Sequence, residues 1–182
     1  MPIDLRCSDG RLLDNSVSPS TEFILKGVSW YGMEEMYALP QGLDYRHMNN
    51  YIDFIKENGF NAIRVPLAVS SVLNDVNASM FGNRVSQSNP HLHQKSYMHI
   101  LHVLITEAGS RGLLVLLDMH RLSAGDRNNP LWYDSKVSET MLINAWGRLA
   151  SRYCHVFNVM GADLFNGESG RLASTAPSAA QG

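Results

Sequence analysis

The stretch Tyr97-Met98-His99-Ile100-Leu101-His102-Val103-Leu104-Ile105-Thr106-Glu107-Ala108-Gly109-Ser110-Arg111-Gly112-Leu113-Leu114-Val115-Leu116-Leu117-Asp118-Met119-His120 carries two hydrophobic patterns in succession. In the first part Tyr97, Ile100, Leu101, Leu104, Ile105 and Ala108 recur at helical spacing, and Gly112 stops the helix. In the second part residues 113–117 are continuously apolar instead of alternating, as expected of a parallel strand buried on both faces. A helix feeding through a one-glycine link into such a strand predicts a βαβ unit and hence an α/β fold.

Working outward, the same alternation repeats. Upstream lie an apolar run at 23–30, a helix at about 46–58 and a short strand at 61–65 stopped by Pro66. In that helix Met48, Tyr51, Ile52 and Ile55 share one face, and Gly59 follows it as a helix-ending residue. Downstream, Met141, Leu142, Ala145, Trp146, Leu149 and Tyr153 mark a third helix, and residues 158–166 a fourth strand. Links from helix to strand are tight, whereas links from strand to helix, such as 69–90 and 121–136, are long and polar. All long loops therefore gather at the carboxyl ends of the strands, where parallel α/β folds bind ligands. At roughly 45 residues per strand-helix unit, eight units would need well over 300 residues, within the range of decorated barrels. A complete doubly wound domain fits the loop asymmetry equally well.

Composition narrows the function classes. The 182 residues are 45% hydrophobic and 18% charged, which suits one domain with a real core. A formal charge of −2 gives no reason to expect nucleic acid or an anionic membrane as partner. No apolar run approaches the ~20 residues of a membrane helix, and residues 1–6 lack the marks of a signal peptide. Cys7 and Cys154 imply neither a disulfide framework nor a zinc cluster. Residues 1–22 read as a lead-in, and the small-residue stretch 167–182, without periodicity, as a disordered tail.

Several segments, in order, resemble the first half of glycoside hydrolase family 5. They are Lys26-Gly27-Val28-Ser29-Trp30-Tyr31-Gly32-Met33-Glu34, then Pro40, Gly42-Leu43 and Arg46, and Asn61-Ala62-Ile63-Arg64-Val65-Pro66. Ala108-Gly109-Ser110-Arg111-Gly112 leads into Leu117-Asp118-Met119-His120, and Asn158-Val159-Met160-Gly161-Ala162-Asp163-Leu164-Phe165-Asn166 closes the match. The resemblance implies about the first four strands and three helices of a (β/α)8 TIM barrel over 23–166. It implies a retaining O-glycosyl hydrolase acting on β-linked polysaccharides of the cellulase, β-glucanase or mannanase type, without a cofactor, extracellular in the parent family.

Arg64, His120 and Asn166 fall on the family's cleft positions at the ends of the second, third and fourth barrel strands. An arginine there would lower the pKa of a neighbouring carboxylate. The asparagine would bond the sugar 2-hydroxyl, a contact that strengthens in the transition state. Without that resemblance, Arg64 reads as a structural ion pair and His120 as a capped core position. Trp30 and Trp132, beside Tyr133, offer aromatic faces for sugar rings, with core packing the alternative for Trp30. Glu34 matches a family glutamate in the first loop; alone it reads as a solvated charge.

The pattern breaks after Asn166. The family's acid/base glutamate would come next, but Gly167 stands there and Glu168 follows one residue later. If the fourth strand ran on, that shift would aim Glu168 away from the cleft unless the backbone bulged. The family nucleophile belongs to strand seven, so the sequence predicts an inactive chain, truncated or frameshifted near Asn166, with open barrel edges prone to self-association. A carbohydrate-binding pseudoenzyme is the rival. A metal-dependent hydrolase, suggested by His91-Leu92-His93 with His99 and His102 nearby, is the weaker alternative.

Overall fold

The computed structural model describes residues 4–76, 83–127 and 131–167. Residues 168–182, all but the first of the expected disordered tail, lie outside the described residues. The chain opens with three short antiparallel strands, β1 (Leu5–Ser8), β2 (Arg11–Asp14) and β3 (Thr21–Glu22), in the order β1-β2-β3. This small sheet replaces the expected lead-in. Its strands are only two to four residues long and largely exposed, so they leave no alternating pattern to read.

The main sheet holds β4 (Gly27–Ser29), β5 (Ala62–Ala68), β6 (Leu114–Arg121) and β7 (Val159–Asp163), all parallel, in the order β4-β5-β6-β7. Strand order follows chain order without reversal. A doubly wound sheet reverses at a switch point, so this order selects the barrel. Pro66 does not end β5: the strand passes through it, giving up one ladder donor, and its pairing with β6 shifts register just beyond, between Leu67 and Ala68.

Three helices return the chain between these strands. Helix α1 (Met48–Glu57) buries Met48, Ile52 and Ile55, and His47 caps it by accepting from Asn49 N through Nδ1. The connection after β5 is not the open loop expected. It contains α2 (Val69–Asn74), α3 (Asn83–Ser88) and a single 3₁₀ turn at Pro90–Leu92. Six-residue helices are too short for a period to show. Val69, Ser71 and Val72 of α2 are nonetheless buried. Helix α4 (Tyr97–Ser110), capped by Ser96, buries all six residues of the predicted apolar stripe. Helix α5 (Glu139–Tyr153), capped by Ser138, buries Leu142, Ala145, Leu149 and Tyr153. Its Arg148 donates to the carbonyls of Val72 and Leu73 at 3.1 and 2.8 Å, tying α5 to the end of α2. Gly59 and Gly112 follow α1 and α4 at φ +76° and +68°, the left-handed geometry that a tight helix-to-strand link requires.

The core lies between the sheet and these helices, with Ile63, Val65, Val115 and Leu117 from the strands against Leu101, Leu104, Ile105 and Leu149 from the helices. Among the described residues no helix is long and apolar enough to cross a membrane.

Candidate active site

Parallel register places the chemistry. Arg64 lies opposite Leu116, Pro66 opposite Asp118, and Asp118 opposite Asp163. Asp118 and His120, two residues apart on β6, project to one face of the sheet. Asn166 lies three residues past the end of β7, and its backbone N–H is held by Met119 O at 2.9 Å.

These side chains converge on Arg64. Its Nη2 donates to Asp163 Oδ2 at 2.9 Å and Asn166 Oδ1 at 2.9 Å, and pairs with Asp118 Oδ2 at 3.0 Å. Asp118 Oδ2 also meets His120 Nδ1 at 2.7 Å, and His120 Nε2 lies 3.3 Å from Asn166 Nδ2. One proton assignment accounts for these contacts, with Asp118 Oδ1 left without a hydrogen-bond partner. Because arginine only donates, Asn166 turns Oδ1 toward Arg64 and its amide toward His120. His120 Nε2 then accepts, so Nδ1 carries the hydrogen and donates it to Asp118. One cation thus faces two carboxylates, one of them, Asp118, wholly buried. A carboxylate in that position is tolerable only when paired.

The structure brings Arg64, His120 and Asn166 together and adds Asp118 and Asp163, two residues that the sequence motifs alone do not assign to the site. A signal for Asp118 is present in the sequence: a charge ending a strand buried on both faces needs a partner, and β-alternation places it beside His120. Arg64 does form the ion pairs of the structural alternative, yet its side chain is 26% exposed, so the same group meets solvent at the strand ends.

Other expected contacts are placed differently. Trp30 is only 8% exposed, packs at 5.3 Å against Tyr51 and spends its indole N–H on Gln41 O at 3.0 Å. It is a core residue because its neighbours on both strand and loop enclose it. Glu34 is not a solvated charge: it is 3% exposed and accepts from Gly32 N at 2.6 Å. The neighbouring Glu35 instead bridges Arg121 and Arg127 at 3.2 and 3.3 Å. Trp132 is half-buried, bonded to Glu139 Oε1 at 3.2 Å and edge-on to Tyr133. None of these three side chains hydrogen-bonds to the Arg64 cluster.

The strand expected to continue through Asn166 ends at Asp163, so side-chain alternation does not govern residues 164–167. Gly167 is exposed at φ +40°, a turn in the backbone, and Glu168 lies outside the described residues. His91 and His93 are exposed on the 3₁₀ turn. The His91 ring lies 4.9 Å from that of His47, and its pKa is held below the ordinary histidine value by partial burial, then by His47. No group of three or more His, Cys, Asp or Glu side chains among the described residues is arranged to hold a metal ion.

Two clefts are formed by the described residues. One, of about 220 Å³, lies at the amino-terminal ends of β6 and β7, between Asp14, Ser16 and Phe23 on one side and Leu114, Phe157 and Asn158 on the other. The other, of about 280 Å³, lies in the loop after β4.

Comparison with known proteins gives a consistent picture. Residues 20–171 match the family described as Cellulase (glycosyl hydrolase family 5). An endoglucanase from Paenibacillus polymyxa is 35% identical over 152 residues, 84% of this chain and 37% of that protein. The major extracellular endoglucanase of Xanthomonas campestris pv. campestris is 32% identical over 143 residues, 78% of this chain and 28% of its own length. Among solved structures, an endocellulase from Pyrococcus horikoshii in complex with cellotetraose matches with a TM-score of 0.80 at 33% identity, covering 91% of this chain and 44% of that one. The chain spans less than half the length of these relatives.

Proposed function

This chain belongs to glycosyl hydrolase family 5, the cellulases, and from that premise we propose that it forms the strand-end floor of a retaining O-glycosyl hydrolase cleft for β-linked glucans. The observation that carries the reading is the closed network of Arg64, Asp118, His120, Asp163 and Asn166 at the carboxyl ends of β5, β6 and β7. Each member is fixed by another, so the polar groups that would meet a sugar are oriented in advance. Asn166 has one amide hydrogen left after bonding His120, suited to a sugar hydroxyl such as the 2-hydroxyl. Arg64, the expected positive charge of the cleft, is already opposed here by Asp118 and Asp163. The similarity to an endocellulase solved with cellotetraose favours β-glucan over other glycans.

Retaining hydrolysis needs two carboxyl groups about 5–5.5 Å apart, one an acid/base and one a nucleophile. Glu168, just past the turn at Gly167, is our candidate for the first; the parent family draws the second from strand seven. The 182-residue polypeptide assayed alone is therefore expected to bind cello-oligosaccharides without cleaving them, which is also the behaviour of the pseudoenzyme reading.

The test is reducing-sugar release from a panel of β-glucans and mannans, run beside calorimetric binding of cellotetraose. Binding without turnover, weakened about tenfold by Asn166→Ala through the loss of one hydrogen bond, is the expected result. Turnover that disappears in Glu168→Gln would show that this polypeptide does assemble both carboxylates. Failure to bind any β-glucan would overturn the reading.

A further inference from the structure

We infer that two copies of this chain close one eight-stranded parallel barrel, β7 of each copy pairing with β4 of the other. The two Arg64 clusters then share one mouth; its use for glucan rests on the function proposed above. The barrel of this fold takes eight parallel strands, and β4 to β7 supply four of them in unbroken order. A two-fold axis along the barrel keeps every strand parallel when the second copy is placed. It sets an open β7 beside an open β4 twice and leaves no edge over.

The two edges are chemically ready for this pairing. Lys26 O accepts from Asn61 N and Trp30 N donates to Arg64 O, both at 2.9 Å, so the backbone groups of residues 26 and 30 face β5. Alternation along the strand turns those of Gly27 and Ser29 to the open side. Gly27, Ser29, Gly161 and Ala162 are small and exposed, and neither strand contains a proline or a lysine. Sheet edges that resist pairing usually carry such residues. Asp163 is the one charge in the two strands, and it is turned onto Arg64.

The interior face points to the same partner. Register places Ser29, Arg64, Leu116 and Gly161 in one row across the sheet. A Cβ on Gly161 would meet Leu116 Cδ1 at 3.7 Å, so both lie on the face that carries Arg64. Barrel interiors are filled by layers of such side chains. Here Arg64 and Leu116 are only half-buried, and the row ends in exposed Ser29 and Gly161. A second copy sets an identical row opposite, with Leu116 facing its own copy across the interior. Ile24 and Leu25 precede β4 and Phe157 precedes β7, all exposed, so parallel pairing brings them to one end of the seam and takes them out of water. At the other end each chain alone walls half of the mouth, and the cleft is complete only in the pair.

Paramagnetic relaxation enhancement between copies tests the pairing. A nitroxide is placed on Leu164→Cys, in a 182-residue chain with Cys7→Ser and Cys154→Ser, and mixed with isotope-labelled chains that carry no nitroxide. Leu164 is exposed and follows β7 directly, so its replacement spares the core. Expected is selective broadening of the amides of Val28, Ser29, Trp30 and Tyr31 in the isotope-labelled chains, with a two-chain mass by light scattering. Ser29→Pro removes an N–H that faces the open side and is expected to weaken the dimer about tenfold with an unchanged circular-dichroism spectrum. Broadening confined to residues 159–163, a monomer, an unweakened Ser29→Pro dimer or assemblies beyond two chains would overturn the closed barrel. One cellotetraose bound per two chains is expected of the shared mouth, and one per chain would overturn the sharing. A dimer that pairs as expected yet binds no β-glucan would overturn the proposed function and leave the barrel standing.

Discussion

At the scale of single residues, Asp118 organises the site. It is the one fully buried carboxylate of the cluster, and it both neutralises Arg64 and fixes the His120 tautomer. Breaking a buried ion pair from one side costs about 3–5 kcal/mol, because the partner charge is left uncompensated. Here Arg64 is partly exposed and keeps Asp163, so Asp118→Asn is expected to cost about 2–3 kcal/mol, somewhat below that range. Equilibrium urea unfolding should show a lower midpoint at an unchanged slope. An unchanged midpoint would mean that Arg64 needs no buried counter-charge.

Among the elements, helix α1 has an unusual start. A histidine caps it, and the cap works only while His47 Nδ1 has a free lone pair for Asn49 N. The neighbouring His91 is pressed below its ordinary pKa in the fold, by burial first and by His47 second. A histidine with a depressed folded pKa contributes stability that is complete above about pH 6.5 and is lost as pH falls below it. Melting temperature is therefore expected to decline from pH 7 to pH 5 beyond what acidic residues contribute. His47→Ser keeps a capping oxygen without the second imidazole and should flatten that decline. A slope unaffected by the substitution would remove the histidine pair from the account.

For the whole molecule, the parallel sheet has two outer strands, β4 and β7, each paired on one side only among the described residues. Apolar residues lie exposed near both: Ile24 and Leu25 precede β4, while Phe157 and Leu164 flank β7. Unpaired strand edges beside exposed apolar groups favour association with another chain. The 182-residue polypeptide expressed alone is expected to self-associate, which light scattering after size exclusion would detect. A sharp monomeric peak with one cooperative melt would overturn that expectation and require these edges to be protected in some other way.

The alternation of strands and helices is legible from residue order alone, because buried elements this long print their period: the stripe from Tyr97 to Ala108 and the unbroken run from Leu113 to Leu117 could be little else. Residue order also yielded Arg64, His120 and Asn166, which a family resemblance could align one by one. The rest depends on contacts between distant segments. The order β4-β5-β6-β7 chose a barrel over a doubly wound sheet, since strand order is a relation between distant segments that no local pattern encodes. Enclosure by neighbours turned Trp30 and Glu34 inward, and register across β5, β6 and β7 gathered Asp118 and Asp163 around Arg64. Burial and pairing are properties of what surrounds a side chain, and those surroundings come from residues tens of positions away.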